Sequence, residues 1–212
     1  MKKILLFILA VCTAGIVVAQ QYVIKAHVTG FNNRAKFYLK DIDADADIDS
    51  AVIQNDHFVL KGKLAETPQS LWLYSQTGKN YYYVTLMIGN EDININGDIK
   101  DFPFDLSVTG SKTQDEHNIL VNLTKEDYKK RNILVGEFFA LKGDSSEIKG
   151  RKIWKVISKI DSVDDVARIN FIKNNLNSYE ALSELFYLKN KYPKDTLQQM
   201  YNSLMPEFKQ SR

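Results

Sequence analysis

The spacing of apolar residues changes once along this chain, close to Ser111, and this change constrains the fold more than any other feature. Before Ser111, apolar and polar residues alternate in short runs, and Ile24, Ala26 and Val28 share one face of the first run. Residues 51–60 predict a hairpin, because a polar turn separates two apolar runs. About eight such runs, separated by turn residues, predict an antiparallel β-sandwich or a partly open barrel.

Beyond Ser111 the apolar residues recur at helical spacing, so a helical region follows the strands. The polar stretch between Leu123 and Leu134 favours two helices rather than one. Ser162 is placed to cap a third helix, and Asp195 a last short helix. Strands first and helices second predict an α+β protein.

The first nineteen residues have the features of a secretory signal peptide. Two lysines precede an apolar run from Ile4 to Val18, and Ala19 ends it. We therefore predict export and cleavage near Ala19, which places the mature chain in the periplasm or cell envelope. The chain divides into three segments: a signal peptide at residues 1–19, a β-sandwich domain at residues 20–111 and an α-helical extension at residues 112–212.

The single cysteine, Cys12, lies inside the predicted signal peptide. A lipid-modified cysteine follows a small residue near the end of the apolar run, but Val11 precedes Cys12 and the run continues beyond it. The sequence therefore favours a cleaved form over a lipid anchor at Cys12. The mature chain would have no thiol, so it would form no disulfide and have no cysteine nucleophile.

The charge of the predicted mature chain is balanced. The whole chain has 28 basic and 26 acidic side chains, and removal of Lys2 and Lys3 leaves 26 of each. A neutral chain has no general field that attracts nucleic acid or anionic lipid, so we expect neither as a partner. No second apolar run approaches the roughly 20 residues of a membrane-spanning helix.

Alternating aspartates in one connection resemble a calcium-binding loop: Asp41, Asp43, Asp45, Asp47 and Asp49. Such a loop also needs a glycine at position six and a glutamate at position twelve, and no frame of this run provides them. The sequence favours a solvated connection held open by its own repulsion, and a bound cation is the alternative.

The histidines His27, His57 and His117 are scattered, and no pair has metal-ligand spacing. No serine lies in a nucleophile elbow, and no glycine-rich phosphate loop is present. We therefore predict no metal, no cofactor and no catalytic residue. A hydrolase with an unrecognised site stays open as a third hypothesis, for which His27 or His57 would have to share a cleft with carboxylates.

The candidate binding residues are aromatic and lie in two consecutive predicted strands: Trp72, Tyr74, Tyr81, Tyr82 and Tyr83. Trp72 and Tyr74 share one face of their strand, and Tyr81 and Tyr83 share one face of theirs. They are candidates for a platform that binds a glycan or a peptide. Strands also favour aromatic residues for cross-strand packing, so packing within the sheet is the alternative.

Four phrases of the sequence, in this order and spacing, resemble one family: residues 48–62, 88–98, 108–116 and 171–179. The closest is Val-Thr-Gly-Ser-Lys-Thr-Gln-Asp-Glu at residues 108–116, and Leu176 stands where the family has proline in the last phrase. The family is the N-terminal domain of unknown function, with a helical extension, that precedes the thioredoxin-like domain in bacterial envelope thiol–disulfide interchange proteins.

In that family a thioredoxin-like domain with a Cys-x-x-Cys motif follows a segment like residues 204–211, and this chain stops at Arg212. The resemblance therefore implies fold and compartment without thiol exchange, which requires a thiolate. The leading hypothesis is a non-catalytic envelope domain that binds or positions a protein partner or a thioredoxin-like domain. The alternative is a ligand-binding module for a glycan or peptide.

Overall fold

The computed structural model describes residues 21–66, 68–142, 146–206 and 208. The predicted signal peptide, with Cys12, lies outside the described residues. Within the described part, eight strands are followed by four helices, which confirms the α+β class predicted from the change of period.

The strands are β1 (Tyr22–Thr29), β2 (Lys36–Asp41), β3 (Ala46–Val52), β4 (His57–Gly62), β5 (Gln69–Thr77), β6 (Asn80–Ile88), β7 (Asp92–Asp98) and β8 (Ser107–Thr109). A short 3-10 turn (Ile99–Asp101) lies between β7 and β8. The helices are α1 (Lys112–Ala140), α2 (Ser146–Asn174), α3 (Tyr179–Leu188) and α4 (Lys194–Ser203).

The strands form two four-stranded sheets that pack as a sandwich. The first sheet has the order β4-β1-β7-β8, and the second has the order β3-β2-β5-β6. All pairs are antiparallel except β1 with β7. Alternate side chains of each strand point inward, as the two-residue period predicts. Large apolar residues of both sheets meet there and are almost fully buried, among them Ile24, Phe37, Leu39, Leu73 and Ile95.

The turn of the hairpin predicted at residues 51–60 is present, but the two apolar runs do not pair with each other, because the chain changes sheets there. β3 pairs with β2 in the second sheet, whereas β4 pairs with β1 in the first. Only an isolated bridge between Gln54 and His57 joins the two ends of the turn. Buried Ile53 lies at the crossing, so the apolar runs on its two sides serve opposite layers of one core.

The start of α1 closes the side of the sandwich where the edge strands β6 and β8 lie. The Gln114 Oε1 atom accepts a hydrogen bond from the Met87 amide (2.9 Å), and the Thr113 hydroxyl donates to the Met87 carbonyl (2.9 Å). The Asn118 amide donates to the Val108 carbonyl of β8 (2.8 Å). These side chains satisfy backbone groups that an edge strand leaves unpaired.

Three helix boundaries differ from the sequence prediction. α1 is one continuous helix across the polar stretch, where Arg131 bonds Asp161 of α2 at 2.8 Å. Ser162 lies inside α2 and donates to the Ser158 carbonyl, so it caps nothing. Asp195 lies within the first turn of α4, and Pro193 holds the cap position.

The helical region has its own hydrophobic core, which lies near the start of α1 and the end of α2. Apolar residues of all four helices and of the segment after α4 pack there, including Leu120, Phe171, Ile172, Leu188 and Leu204. The Ser178 hydroxyl caps α3 by accepting from the Ala181 amide. None of the described helices combines the length and the apolar character that a membrane span requires.

Candidate functional site

The outer surface of the second sheet carries a row of aromatic side chains, which we name the aromatic face: Tyr38, Trp72, Tyr74, Tyr81 and Tyr83. In β5, Leu71, Leu73 and Ser75 point to the core, so Trp72 and Tyr74 point outward. Tyr81 and Tyr83 take the outward positions of β6. Tyr38 lies on β2 directly opposite Tyr74 and joins them.

The strand register brings these rings into contact. Tyr38 stacks on Tyr74 with ring centroids 5.2 Å apart, and Tyr74 stacks on Tyr81 at the same distance. Tyr83 continues the row, with its ring centroid 6.0 Å from that of Tyr81 and 5.6 Å from that of Trp72. Aromatic pairs at these separations stabilise the sheet by roughly 0.5–1.5 kcal/mol each. The row therefore packs within the sheet and also presents a partly exposed surface.

Tyr82 does not belong to this surface. It follows the alternation of β6 and points inward, where its ring packs edge-on against Phe31 (5.2 Å) and Phe102 (6.1 Å). The prediction that Tyr82 lies with the other candidate binding residues is therefore wrong. Tyr38, by contrast, was missed because its pairing with Tyr74 joins strands that are distant in sequence.

Polar groups border the Tyr38 and Tyr74 end of the aromatic face. The Tyr74 hydroxyl donates to the Asp47 carboxylate at 3.1 Å, and the Lys36 ammonium lies 4.6 Å from the centre of the Tyr38 ring. With Gln76 these side chains line a shallow depression of about 450 Å³. Burial, and then the bond to Asp47, raises the pKa of Tyr74 to about 12. The hydroxyl therefore stays a donor at neutral pH.

α1 contacts the other end of the aromatic face. Tyr128 packs edge-on against Phe104, with centroids 5.0 Å apart, and lies beside Tyr83. Burial, and then the neighbouring Tyr128 side chain, raises the pKa of Tyr83 to about 12. Burial also raises the pKa of Tyr81, the most exposed ring of the row. The face is thus closed by a helix at Tyr83 and open at Tyr81.

The aspartate run spans the turn between β2 and β3 and the first half of β3, and protein groups bond the carboxylates of Asp41, Asp45, Asp47 and Asp49. Asp41 accepts from the amides of Asp43 and Ala44, and Asp45 pairs with Lys40. Asp49 accepts from the Tyr22 hydroxyl at 3.1 Å, as Asp47 does from Tyr74. The connection is therefore held by bonds rather than kept open by repulsion. Among the described residues, no group of three or more histidine, cysteine or acidic side chains could hold a metal ion.

Two of the three histidines meet on the outer surface of the first sheet. His27 of β1 and His57 of β4 are register partners, and their rings stack with centroids 4.3 Å apart. This pair could not be predicted from the sequence, because β1 and β4 become neighbours only when the chain changes sheets. His57 Nδ1 lies 2.6 Å from the Asn55 carbonyl oxygen.

A buried charged network joins α1, α2 and α3, and sequence reasoning missed it. Arg168 donates to Asp164 and to Glu184, at 2.7 Å in each case. His117 Nδ1 lies 3.0 Å from Glu180 Oε1, while Glu180 Oε2 is buried without a hydrogen-bond partner among the described residues. Burial raises the pKa of Glu184, although Arg168 acts in the opposite direction. Because the network links three helices, we interpret it as structural.

A comparison with protein families finds a match that covers the sandwich. Residues 22–117 match a domain of unknown function, DUF4369. These residues form a DUF4369 domain. The matched region runs six residues past the predicted boundary at residue 111 and so includes Thr113 and Gln114, which bond the edge strand β6. No curated protein matches the chain.

Packing within the DUF4369 domain explains two glycines that the family-like phrases contain, Gly62 and Gly110. A Cβ atom at Gly62 would collide with the Tyr22 ring, whose hydroxyl bonds Asp49. A Cβ atom at Gly110 would collide with the Asp92 carbonyl, and φ there is +115°, which favours glycine. The phrases at residues 48–62 and 108–116 therefore reflect packing of the sandwich, whereas the phrase at residues 171–179 lies in the helical region and the aromatic face lies outside all four.

Proposed function

We propose that the chain is a non-catalytic binding protein of the bacterial cell envelope, which binds a partner protein through the aromatic face of its DUF4369 domain. The observation that carries this proposal is the row of touching rings from three strands, with Tyr81 48% exposed at its open side. Tyrosine and tryptophan anchors with a polar rim are typical of binding hot spots. Lys36, Asp47 and Gln76 supply that rim.

The sequence supports the proposed compartment and the proposed class of partner. The signal-peptide pattern at residues 1–19 supports export, and the four phrases support kinship with the N-terminal half of thiol–disulfide interchange proteins. A thioredoxin-like domain is therefore the first partner to test. Because Cys12 is the only cysteine, we propose that the mature chain binds such a domain without exchanging disulfides itself.

The experiment is a titration of the chain with a thioredoxin-like interchange domain, followed by calorimetry. We expect Tyr74→Ala with Tyr81→Ala to weaken binding at least tenfold, because truncated aromatic anchors cost most of the affinity at an interface. Tyr187→Ala is the matched control, since Tyr187 is also 48% exposed but lies on α3. Circular dichroism checks that each variant folds. Equal binding by the double variant and the unmodified protein would contradict the proposal.

Two further measurements test the remaining parts. Secretion of the full chain should yield a mature protein whose first residue is Gln20, as read by N-terminal sequencing. The purified mature protein should not reduce the disulfides of insulin, and reduction that survives removal of contaminants would refute the non-catalytic assignment.

A glycan is the second candidate ligand, favoured by the depression beside Tyr38 and Tyr74. Hydroxyl, carboxylate, amide and ammonium groups meet there next to aromatic rings, and sugars need both kinds of contact. In that case the chain should bind soluble glycans but not the thioredoxin-like domain, and Asp47→Ala should abolish glycan binding. That result would favour a glycan as the ligand over a protein partner.

A further inference from the structure

We propose that the end of the α1–α2 hairpin docks on an anionic lipid bilayer. The hairpin end comprises residues 137–142 and 147–156. This inference goes beyond the proposed function and uses no residue of the aromatic face, so either proposal can fail without the other.

The hairpin end extends away from the sandwich. α1 and α2 pack antiparallel, with the rings of Phe138 and Trp154 5.3 Å apart near the end and Arg131 bonded to Asp161 further back. Tyr128 and Lys129 are the last α1 residues whose side chains bond or stack with the sandwich in the described part of the chain. Residues 130–140 therefore carry α1 about 16 Å further.

Large apolar side chains are exposed at this end instead of being buried. Phe139 is 77% exposed and Ile148 is 57% exposed, and Trp154 and Val156 are about half exposed. Successive residues of a helix are rotated by about 100°, so Trp154 and Val156 point to nearly opposite sides of α2. The exposed apolar residues thus surround the hairpin end and do not form one flat face. A soft interface can cover all of them at once, whereas a rigid partner surface would cover one side.

Positive charge accompanies these apolar residues. Residues 146–159 contain five basic residues and a single acidic one, Glu147, whereas residues 160–174 contain three acidic and two basic ones. Lys149, Lys152 and Lys155 are exposed and form no ion pair with any described residue. Lys149 and Lys152, with Glu137 as the one acidic neighbour, also border an apolar depression of about 510 Å³ between the two helices. Basic residues beside exposed tryptophan and phenylalanine are typical of segments that bind anionic membrane surfaces.

The balanced charge of the whole chain does not oppose this inference. Charges are screened beyond about 8 Å at physiological salt, so the local cluster determines the attraction to a surface. A second copy of the chain fits less well, because Lys152 and Lys159 share the outer side of α2 and would face the same lysines of the other copy.

The experiment uses the chain that begins at Gln20, the expected mature form, and vesicles of phosphatidylcholine with or without an equal amount of phosphatidylglycerol. We expect co-sedimentation with the anionic vesicles only, and its loss when salt is raised from about 0.1 M to about 1 M. Trp154 emission should shift to shorter wavelength in a Trp72→Phe background, because the indole enters the interface.

Matched variants assign the binding to the hairpin end. Lys149→Glu, Lys152→Glu and Lys155→Glu together should lower partitioning at least tenfold. Phe139→Ser with Ile148→Ser should lower it as well. Lys61→Glu, Lys63→Glu and Lys100→Glu make the same charge change on exposed sandwich lysines and should leave it unchanged. Absence of vesicle binding, an equal loss in both charge-reversed proteins, or binding of polyglutamate without binding of vesicles would each overturn the inference.

Discussion

In the sandwich the side chains buried between the sheets are almost all apolar, whereas the helical region buries Glu180 and Glu184 beside Arg168. The sandwich is stabilised by transfer of apolar surface from water, which depends little on direction. The helical region depends in part on charges that must stay paired, because an unpaired buried charge is costly. The hairpin end lies beyond these buried charges, and its large apolar residues are exposed. The two regions should therefore respond to different perturbations.

The largest effect is expected from truncation of the sandwich core. Phe37→Ala removes a fully buried ring that stacks on Phe58 with centroids 4.3 Å apart, and should lower the free energy of unfolding by about 3–5 kcal/mol. Phe139→Ala makes the same change on a ring that is mostly exposed and should alter it by less than about 0.5 kcal/mol. Urea unfolding followed by circular dichroism measures both. Similar losses in the two variants would show that the hairpin end is packed.

A second large effect is expected when the buried charges lose their partner. Arg168→Met leaves Glu184 and Asp164 without their cation and should destabilise the protein by about 3 kcal/mol. Arg151→Met breaks an exposed ion pair with Glu147 and should cost less than about 1 kcal/mol. The double change Arg168→Met with Glu184→Leu should recover part of the loss, because it removes the uncompensated carboxylate. A double variant no more stable than Arg168→Met would show that packing, not charge, explains the loss.

An intermediate effect is expected where the two regions join. Gln114→Leu leaves the Met87 amide without its acceptor and should destabilise the protein by about 1–3 kcal/mol. Hydrogen exchange of that amide should accelerate, while exchange in the central strand β5 follows only the global loss. Gln198→Leu on exposed α4 is the control and should change neither quantity. Unchanged exchange at Met87 would mean that α1 does not protect this strand edge.

The smallest effect is a pH dependence located in the helical region. The pKa of Glu184 is raised by burial in the folded state, so the folded protein holds this proton more tightly than the unfolded chain. Its contribution to stability is therefore present in acid and is lost as pH rises through the raised pKa. The free energy of unfolding of the unmodified protein, relative to Glu184→Gln, should fall over that range. A difference that rises with pH would show that Arg168 outweighs burial.

Local patterns predicted the elements, and non-local pairing decided the rest. The alternation of Ile24, Ala26 and Val28 reports one buried face, which each strand must have wherever it pairs. The partner of β3 could not be predicted in this way, because Ile53 suits a hairpin and a change of sheet equally well. The aromatic face was predicted in part for the same reason: Trp72 and Tyr74 share a strand, whereas Tyr38 joins them only through the register.

The helical region was harder to predict because its polar residues are not all on the surface. The polar stretch that contains Arg131 suggests a break in the helix when the sequence is considered without the fold. In the fold Arg131 finds Asp161 on the neighbouring helix, and the helix continues. Glu180 and Glu184 occupy positions that a pattern of apolar residues assigns to solvent, and the packing of α3 against α1 and α2 encloses them.

The side-chain bonds from the start of α1 to β6 and β8 also bear on how the protein avoids self-association. A fragment ending at Ser111 would retain all eight strands but lose Thr113, Gln114 and Asn118. The peptide groups at Met87 and Val108 would then be open to strands of neighbouring molecules, the usual route to edge-to-edge polymers. The first turns of α1 thus protect the edge strands from pairing with other molecules. A domain shortened to end at its last strand should therefore fold but precipitate.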